Sequence, residues 1–295
     1  MSLSKAYKNV LILFTLLLCS TLQAQLSNLA RLEYSFIPKK NSEDTYSRFR
    51  GFFNIPIEIS EDDYLVFGAE YNNVAIDLED HYPFNRSLIN QVHIIDATIG
   101  YTFKHNEKWR FGAKVTPRIA STLKSKITGS DFFINGGVYA INDKTKDETA
   151  KKPNRLIIGL TYNSTSGLPF PLPFVSYFRK LNSHWAYTLG VPKANIEYYF
   201  NEKNVLQSFI SLDGYYAHVQ DKITVNNQVV ENVSLRVIVL GLGYEYYFTK
   251  HFAFYMYSGY TLDQKNILRN KDKDKVFTLD DVNTLYLRTG LKYKI

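Results

Sequence analysis

The chain has 295 residues, of which 45% are hydrophobic, 21% charged and 15% aromatic, and its formal net charge is +7. A mean hydropathy of −0.23 is too polar for a helical membrane protein but suits a β-barrel whose inner face is wet. The mild positive charge comes without a clustered basic helix or an RNA-reading motif, so nucleic acid is not an expected partner.

Residues 1–24 read as a secretory signal peptide. Lys5 and Lys8 form its basic region, Val10–Leu18 its apolar core, and Thr21-Leu22-Gln23-Ala24 offers a cleavage point. The apolar run is too short to cross a membrane as a helix. Removal of the two lysines lowers the net charge to about +5, a surface that suits outer-membrane lipid and lipopolysaccharide. The one cysteine, Cys19, follows Leu18 where a lipidation signal wants a small residue, so it is expected to leave with the signal. The mature chain then has no thiol for a disulfide or a zinc site.

From residue 25 onward no apolar run reaches the roughly 18 residues of a membrane helix. The pattern is instead one of period two. Arg31–Phe36 sets Leu32, Tyr34 and Phe36 against Arg31, Glu33 and Ser35. Ser47–Ile59 sets Phe49, Phe53, Ile55, Ile57 and Ile59 against Arg48, Arg50, Asn54 and Glu58, with Pro56 predicting a bulge. After a turn at Ser60–Asp63, Tyr64–Tyr71 returns with Leu65, Phe67, Ala69 and Tyr71 on one face. A polar loop over Asn72–Asn90 leads to the hairpin Gln91–Lys104 and Trp109–Ile119, which places Asp96, Arg110, Lys114 and Arg118 on its polar face. Strands are predicted at Phe132–Ile141 and Arg155–Tyr162, the latter with Arg155 inward.

Pro169, Pro171 and Pro173 cannot donate ladder hydrogen bonds, so Gly167–Phe174 reads as a loop entering a strand at Phe174–Arg179. Short strands Trp185–Gly190 and Ala194–Phe200 follow. Val205–Val219 has Leu206, Ile210, Leu212 and Tyr216 on one face and Asp213 opposite. An Asn-rich loop, Gln220–Asn232, precedes Leu235–Phe248, whose polar face holds Glu245; Phe252–Leu262 and a Lys/Asp loop near Lys271–Lys275 come next. The last strand, Asn283–Ile295, alternates Leu285, Leu287, Leu291 and Tyr293 with Tyr286, Arg288, Gly290 and Lys292.

The expected fold is all-β: a transmembrane antiparallel up-and-down barrel of about 14 strands (12 if the proline region pairs differently) over residues 25–295. The turns sort by parity. Ser60–Asp63, His105–Lys108, Asn201–Asn204 and Thr249–His251 fall on one side and the long polar loops on the other, with Asn142–Asn154 as an exception.

The ending Arg288-x-Gly290-x-x-Tyr293-x-Ile295 resembles the C-terminal signal read by the β-barrel assembly machinery, which makes Gly290, Tyr293 and Ile295 candidate signal residues. The stretch Gly167–Phe200, with its LPFVSYF, LGVP and IEYYF pieces, resembles the central region of a porin-like family of Gram-negative outer-membrane β-barrels of unassigned function. That likeness implies a barrel in the outer membrane and no catalytic residue.

Parity sends Arg48, Arg50, Glu58, Asp96, Arg110, Lys114, Arg118, Asp213, Glu245, Arg288 and Lys292 to the lumen. Such charges must be paired or hydrated. A salt-bridge lattice fills a closed interior; a hydrated set lines a pore, and a basic excess would favour anions. The width of a barrel of this size tips the expectation toward a passive channel for small anionic or amphipathic solutes. A non-conducting structural or surface-binding barrel is the alternative. An outer-leaflet lipid hydrolase is third, with His93 (near Asn90 and Asp96) and His218 as rim candidates. The carboxylates Asp77, Glu79 and Asp80 with His81 match no calcium-loop spacing, and neither a metal nor another cofactor is expected.

Overall fold

A computed structural model of the chain describes residues 28–40, 42–145, 151–163, 170–225 and 227–294. The signal segment with Cys19, together with Pro169 and Ile295, lies outside the described residues. Fifteen strands form one sheet: β1 (Ala30–Pro38), β2 (Thr45–Ser60), β3 (Asp63–Asp77), β4 (Gln91–Lys104), β5 (Arg110–Ser121), β6 (Phe132–Asp143), β7 (Asn154–Tyr162), β8 (Leu172–Lys180), β9 (Trp185–Val191), β10 (Lys193–Tyr199), β11 (Asn204–Val225), β12 (Gln228–Tyr247), β13 (Phe252–Arg269), β14 (Lys275–Asp280) and β15 (Leu285–Tyr293). Each of β1 to β13 pairs antiparallel with its neighbour in sequence. β15 closes the ring by pairing with both β13 and β1. The barrel therefore has 14 strands, and β14 stands outside the ring as a short return against the end of β13.

Closure removes every sheet edge, so the backbone groups of the ring are satisfied without water. The outward positions form a belt of exposed apolar residues, among them Ile57, Ile99, Leu189, Ile196, Leu242 and Met256. Rings crowd one end of that belt, where the turns are short: Trp185 against Tyr198 at 4.8 Å, Tyr198 against Phe200 at 4.9 Å and Phe248 against Phe252 at 5.4 Å. This is the aromatic girdle of a membrane-spanning barrel. No helix among the described residues is long and apolar enough to cross a membrane. The four short turns fall at one end, as does the longer segment between β6 and β7. The loop end also holds the tight connections from β9 to β10 and from β11 to β12, so length does not sort completely.

Several boundaries differ from those expected. The bulge in β2 falls between Glu58 and Ser60 and not at Pro56, which pairs in register with Val66. β1 pairs with β2 only as far as Phe53, so Pro56 has no strand on the side its nitrogen faces and is accommodated without losing a ladder bond. Pro173 is inside β8, opposite Leu160, because a proline whose nitrogen points away from the ladder costs no hydrogen bond. The loop expected at Gln220–Asn232 is mostly strand. β11 and β12 stay paired to Val225 and Gln228, with one register shift between His218 and Ile223.

The walls of the barrel differ in height. β11, β12 and β13 have 22, 20 and 18 residues, whereas β9 and β10 have seven each. At about 3.3 Å per residue, seven residues make a strand of about 23 Å, barely the thickness of the apolar band. The low wall ends where Pro192 accepts a hydrogen bond from the Leu212 amide at 2.8 Å. One register step above Leu212, Ile238 and Leu262 the outer surface turns charged: Arg236 and Lys265 hold Asp263 at 2.7 and 3.0 Å. The low wall thus stops at the edge of the band, and the tall wall continues beyond it.

Above that edge β11 leaves the ring. Gly214 has φ +152°, and a Cβ there would lie 2.1 Å from the Leu235 carbonyl oxygen, so only glycine fits the bend. Beyond it, His218 pairs with Ser121 of β5, although five strands separate β5 from β11 in the ring. The Thr122 amide donates to the His218 carbonyl at 3.1 Å, and the Gln220 amide to the Thr122 hydroxyl at 3.2 Å. The β11–β12 extension therefore crosses the mouth at the loop end. Alternation ceases there because both faces are covered: Tyr215, Tyr216 and Ala217 are all buried, including Tyr216, which parity had placed outward. Ile37, Ile76, Val92, Ala120, Val219 and Leu235 pack together beneath the crossing.

Candidate functional site: the lumen and its charges

Below the apolar layer the lumen on the tall side is filled by paired charges. Arg48 of β2 sets Nη1 and Nη2 2.9 Å from the two carboxylate oxygens of Asp213 on β11, across the barrel. Arg288 of β15 binds the same carboxylate, the Tyr286 hydroxyl donates to it at 2.9 Å, and the Gly214 amide at 2.7 Å. The bend that sends β11 across the mouth is thus anchored at its foot by two guanidinium groups. A planar fork meeting a carboxylate is the strongest of the charge-assisted pairings.

A second cluster surrounds Glu33. Arg50 holds Glu70 in a two-pronged contact at 2.9 and 2.8 Å and reaches Glu33 at 3.5 Å; Arg31 lies 3.4 Å from Glu33 and the Tyr255 hydroxyl donates to it at 2.7 Å. The third centres on Glu245, which takes Lys292 at 2.6 Å, Gln207 at 2.9 Å, and the hydroxyls of Tyr257 and Tyr247 at 2.6 and 2.7 Å. Asp96 and Arg118, opposite each other on β4 and β5, close at 2.7 Å on both prongs. Glu33, Arg48, Asp96 and Glu245 are 2, 5, 6 and 4% exposed. Burial at that level is tolerable because each charge has an opposite partner, and Glu33 and Glu245 accept from tyrosine hydroxyls as well.

The remaining candidates lie elsewhere. Arg110 sits at the turn end near Asp62, 3.5 Å away, and Glu58 is exposed beside the same turn. Lys114 faces inward yet is exposed, with no ion pair or hydrogen bond among the described residues. Its neighbours across both ladders are Gly100 and Gly137, which offer no partner and leave room for water. The inner face of β6 to β9 continues this open region: Tyr139, Ile157, Ser176, Phe178 and Thr188 are all partly solvated. The lumen is therefore packed along the tall wall and wet along the low one.

Parity had not singled out Glu70, Gln207, Lys193 or the four tyrosines of these clusters, although all occupy inward positions of their strands. The tyrosine hydroxyls complete the coordination of Glu33, Asp213 and Glu245. Gly290 has a local reason as well: a Cβ there would stand 2.7 Å from the Tyr255 hydroxyl, whose ring crosses over it to reach Glu33. Tyr293 is exposed beside His251, with ring centroids 6.0 Å apart, in the girdle at the turn end.

The histidines assemble no triad among the described residues. His93 stands on the outward face, its Nδ1 2.9 Å from the Tyr71 hydroxyl, while Asp96 points into the lumen. His218 is on the crossing segment, away from both. Among the acidic loop residues, Asp80 is held by Lys39 at 3.0 Å and Ser42 at 2.8 Å, and Asp77 accepts from Thr45 at 3.4 Å. Asp44 ties this loop to the barrel by accepting the Glu79 and Asp80 amides at 2.6 and 2.9 Å, along with Lys39 and the Tyr82 hydroxyl. These contacts keep its carboxyl below the ordinary range against the opposing effect of burial, while burial and the hydrogen bond to Asp44 push the Tyr82 phenol up to about 12.

Residues 32–294 match the family model described as a domain of unknown function, DUF6268. No curated protein matches the chain. Among solved structures, the chain is similar to the KdgM porin (9% identity, 90% of this chain and 99% of that one, TM-score 0.37) and to LpxR from Salmonella typhimurium (6%, 90% and 100%, 0.38). It is also similar to the P. putida toluene transporter TodX (11%, 92% and 91%, 0.37). Likenesses this distant decide nothing about function, and the fold rests on the strand pairing itself. The chain belongs to the DUF6268 family.

Proposed function

We propose that this member of the family is an outer-membrane channel that passes small anionic solutes along the wet side of its lumen. The loop end faces the exterior and the turn end the periplasm. Residues 1–24 serve export, and the C-terminal Gly290, Tyr293 and Ile295 engage the assembly machinery. The observation that carries the reading is Lys114: an inward cation, flanked by two glycines and left in water, where the inward charges of the tall side are paired. A solvated cation on the wall of a narrow aqueous passage attracts anions and repels cations.

The test is conductance of the refolded mature protein in planar bilayers under a salt gradient. Discrete steps with a reversal potential on the anion side are expected, and Lys114→Glu should shrink or invert that preference. A silent bilayer would leave the second reading, a non-conducting structural barrel. The apolar layer beneath the β11 crossing favours that alternative, since it seals the loop end on the tall side.

A further inference from the structure

Where β11 crosses the mouth, its two faces meet different surroundings. Tyr215, Ala217 and Val219 enter the apolar layer, whereas Tyr216 and His218 look over the lip of the low wall. There they border a cleft of about 200 Å³, open to the exterior, large enough for one ring-sized molecule. Its floor is aromatic: Tyr216 meets Phe133 edge to face, with centroids 6.0 Å apart, and Tyr162 lies at the end of β7. Its rim is basic. Lys273 lies 6.0 Å from the Tyr216 centroid, and Lys271, exposed, has no partner among the described residues. Ser130, His218, Glu231 and Asn232 complete the lining.

We infer that this cleft binds small organic anions that carry a ring. An aromatic floor gives a flat apolar face to stack against, and two lysines on one rim supply the counter-charge. Glu231, which also lines the cleft, disfavours a second negative charge, so the ligand is a monoanion. The site lies at the outer end of the wet side, where a solute would meet the barrel before the lumen. The inference rests on the channel reading for its role in uptake but not for the binding itself.

Isothermal titration of benzoate into the detergent-solubilised full barrel tests it, with empty micelles as the blank. Acetate supplies the charge without the ring and benzyl alcohol the ring without the charge. Benzoate should bind once per barrel and about ten-fold more tightly than either comparator. The double variant Lys271→Glu/Lys273→Glu, both on exposed side chains, should weaken benzoate about ten-fold or more and leave benzyl alcohol unchanged. No benzoate binding, or binding indifferent to the charge reversal, overturns the inference. A barrel that binds benzoate but carries no current keeps this site and loses the channel; one that conducts without binding keeps the channel and loses the site.

Discussion

The two sides of this barrel are built from the same antiparallel ladder, yet they solve the problem of inward polar side chains in opposite ways. On the tall side, from β11 through β15 to β3, carboxylates are enclosed by guanidinium, ammonium and phenol groups, and water is displaced. On the low side, from the middle of β5 to β10, inward positions hold glycine, serine, threonine and partly solvated side chains such as Tyr139 and Phe178. Lys114 stands there with no ion pair among the described residues, and water stays. The difference does not lie in overall polarity. It lies in whether opposite charges come within reach once the ring closes, because a buried ion without a partner is far costlier than a hydrated one.

That contrast is sharpest at Asp213. Asp213→Ala would leave Arg48 and Arg288 facing each other with no shared carboxylate. The expected loss is about 3–5 kcal/mol, read by urea titration of the folded band in electrophoresis. The matching change on the wet side, Lys114→Ala, should stay within about 0.5 kcal/mol. Equal effects at the two sites would erase the distinction. A smaller effect is expected at the bend: Gly214→Ala meets the Leu235 carbonyl and an unfavourable φ, costing about 1–3 kcal/mol. Hydrogen exchange at the Thr122 and Gln220 amides, which bond to and from the crossing segment, should quicken; unchanged protection would show that the crossing does not depend on the bend.

The smallest effect concerns the outer loop held by Asp44. Its carboxyl titrates lower in the folded loop than in a free chain, so its contribution is complete above about pH 4 and disappears as the pH falls through the folded value. The Glu79 and Asp80 amides should be protected from exchange at neutral pH and exposed in acid, and Asp44→Asn should show the weak protection at every pH. Barrel strands need not respond.

Much of this architecture was readable residue by residue. The alternation in Gln91–Lys104 predicted β4 to the residue, and that of Val205–Val219 placed Asp213 inward. Reading failed where the surroundings changed. Tyr216 has outward parity but is buried, because β11 has already left the lipid-facing wall. The long Gln220–Asn232 segment looked like a loop from its asparagines, yet it continues the ladder because two neighbouring strands rise with it. Glu70 sits beside the apolar Tyr71 in sequence, and its pairing with Arg50 shows only across β2 and β3.

Which side chains face lipid and which face inward is written in the order of the residues, since a strand's local geometry alone sends neighbours to opposite faces. Partnership is another matter. Arg48 and Asp213 stand 165 residues apart, and no short stretch of chain says that one lies opposite the other. Closure of the ring sets the stagger between distant strands, and from that stagger follow the paired side, the wet side and the cleft between them.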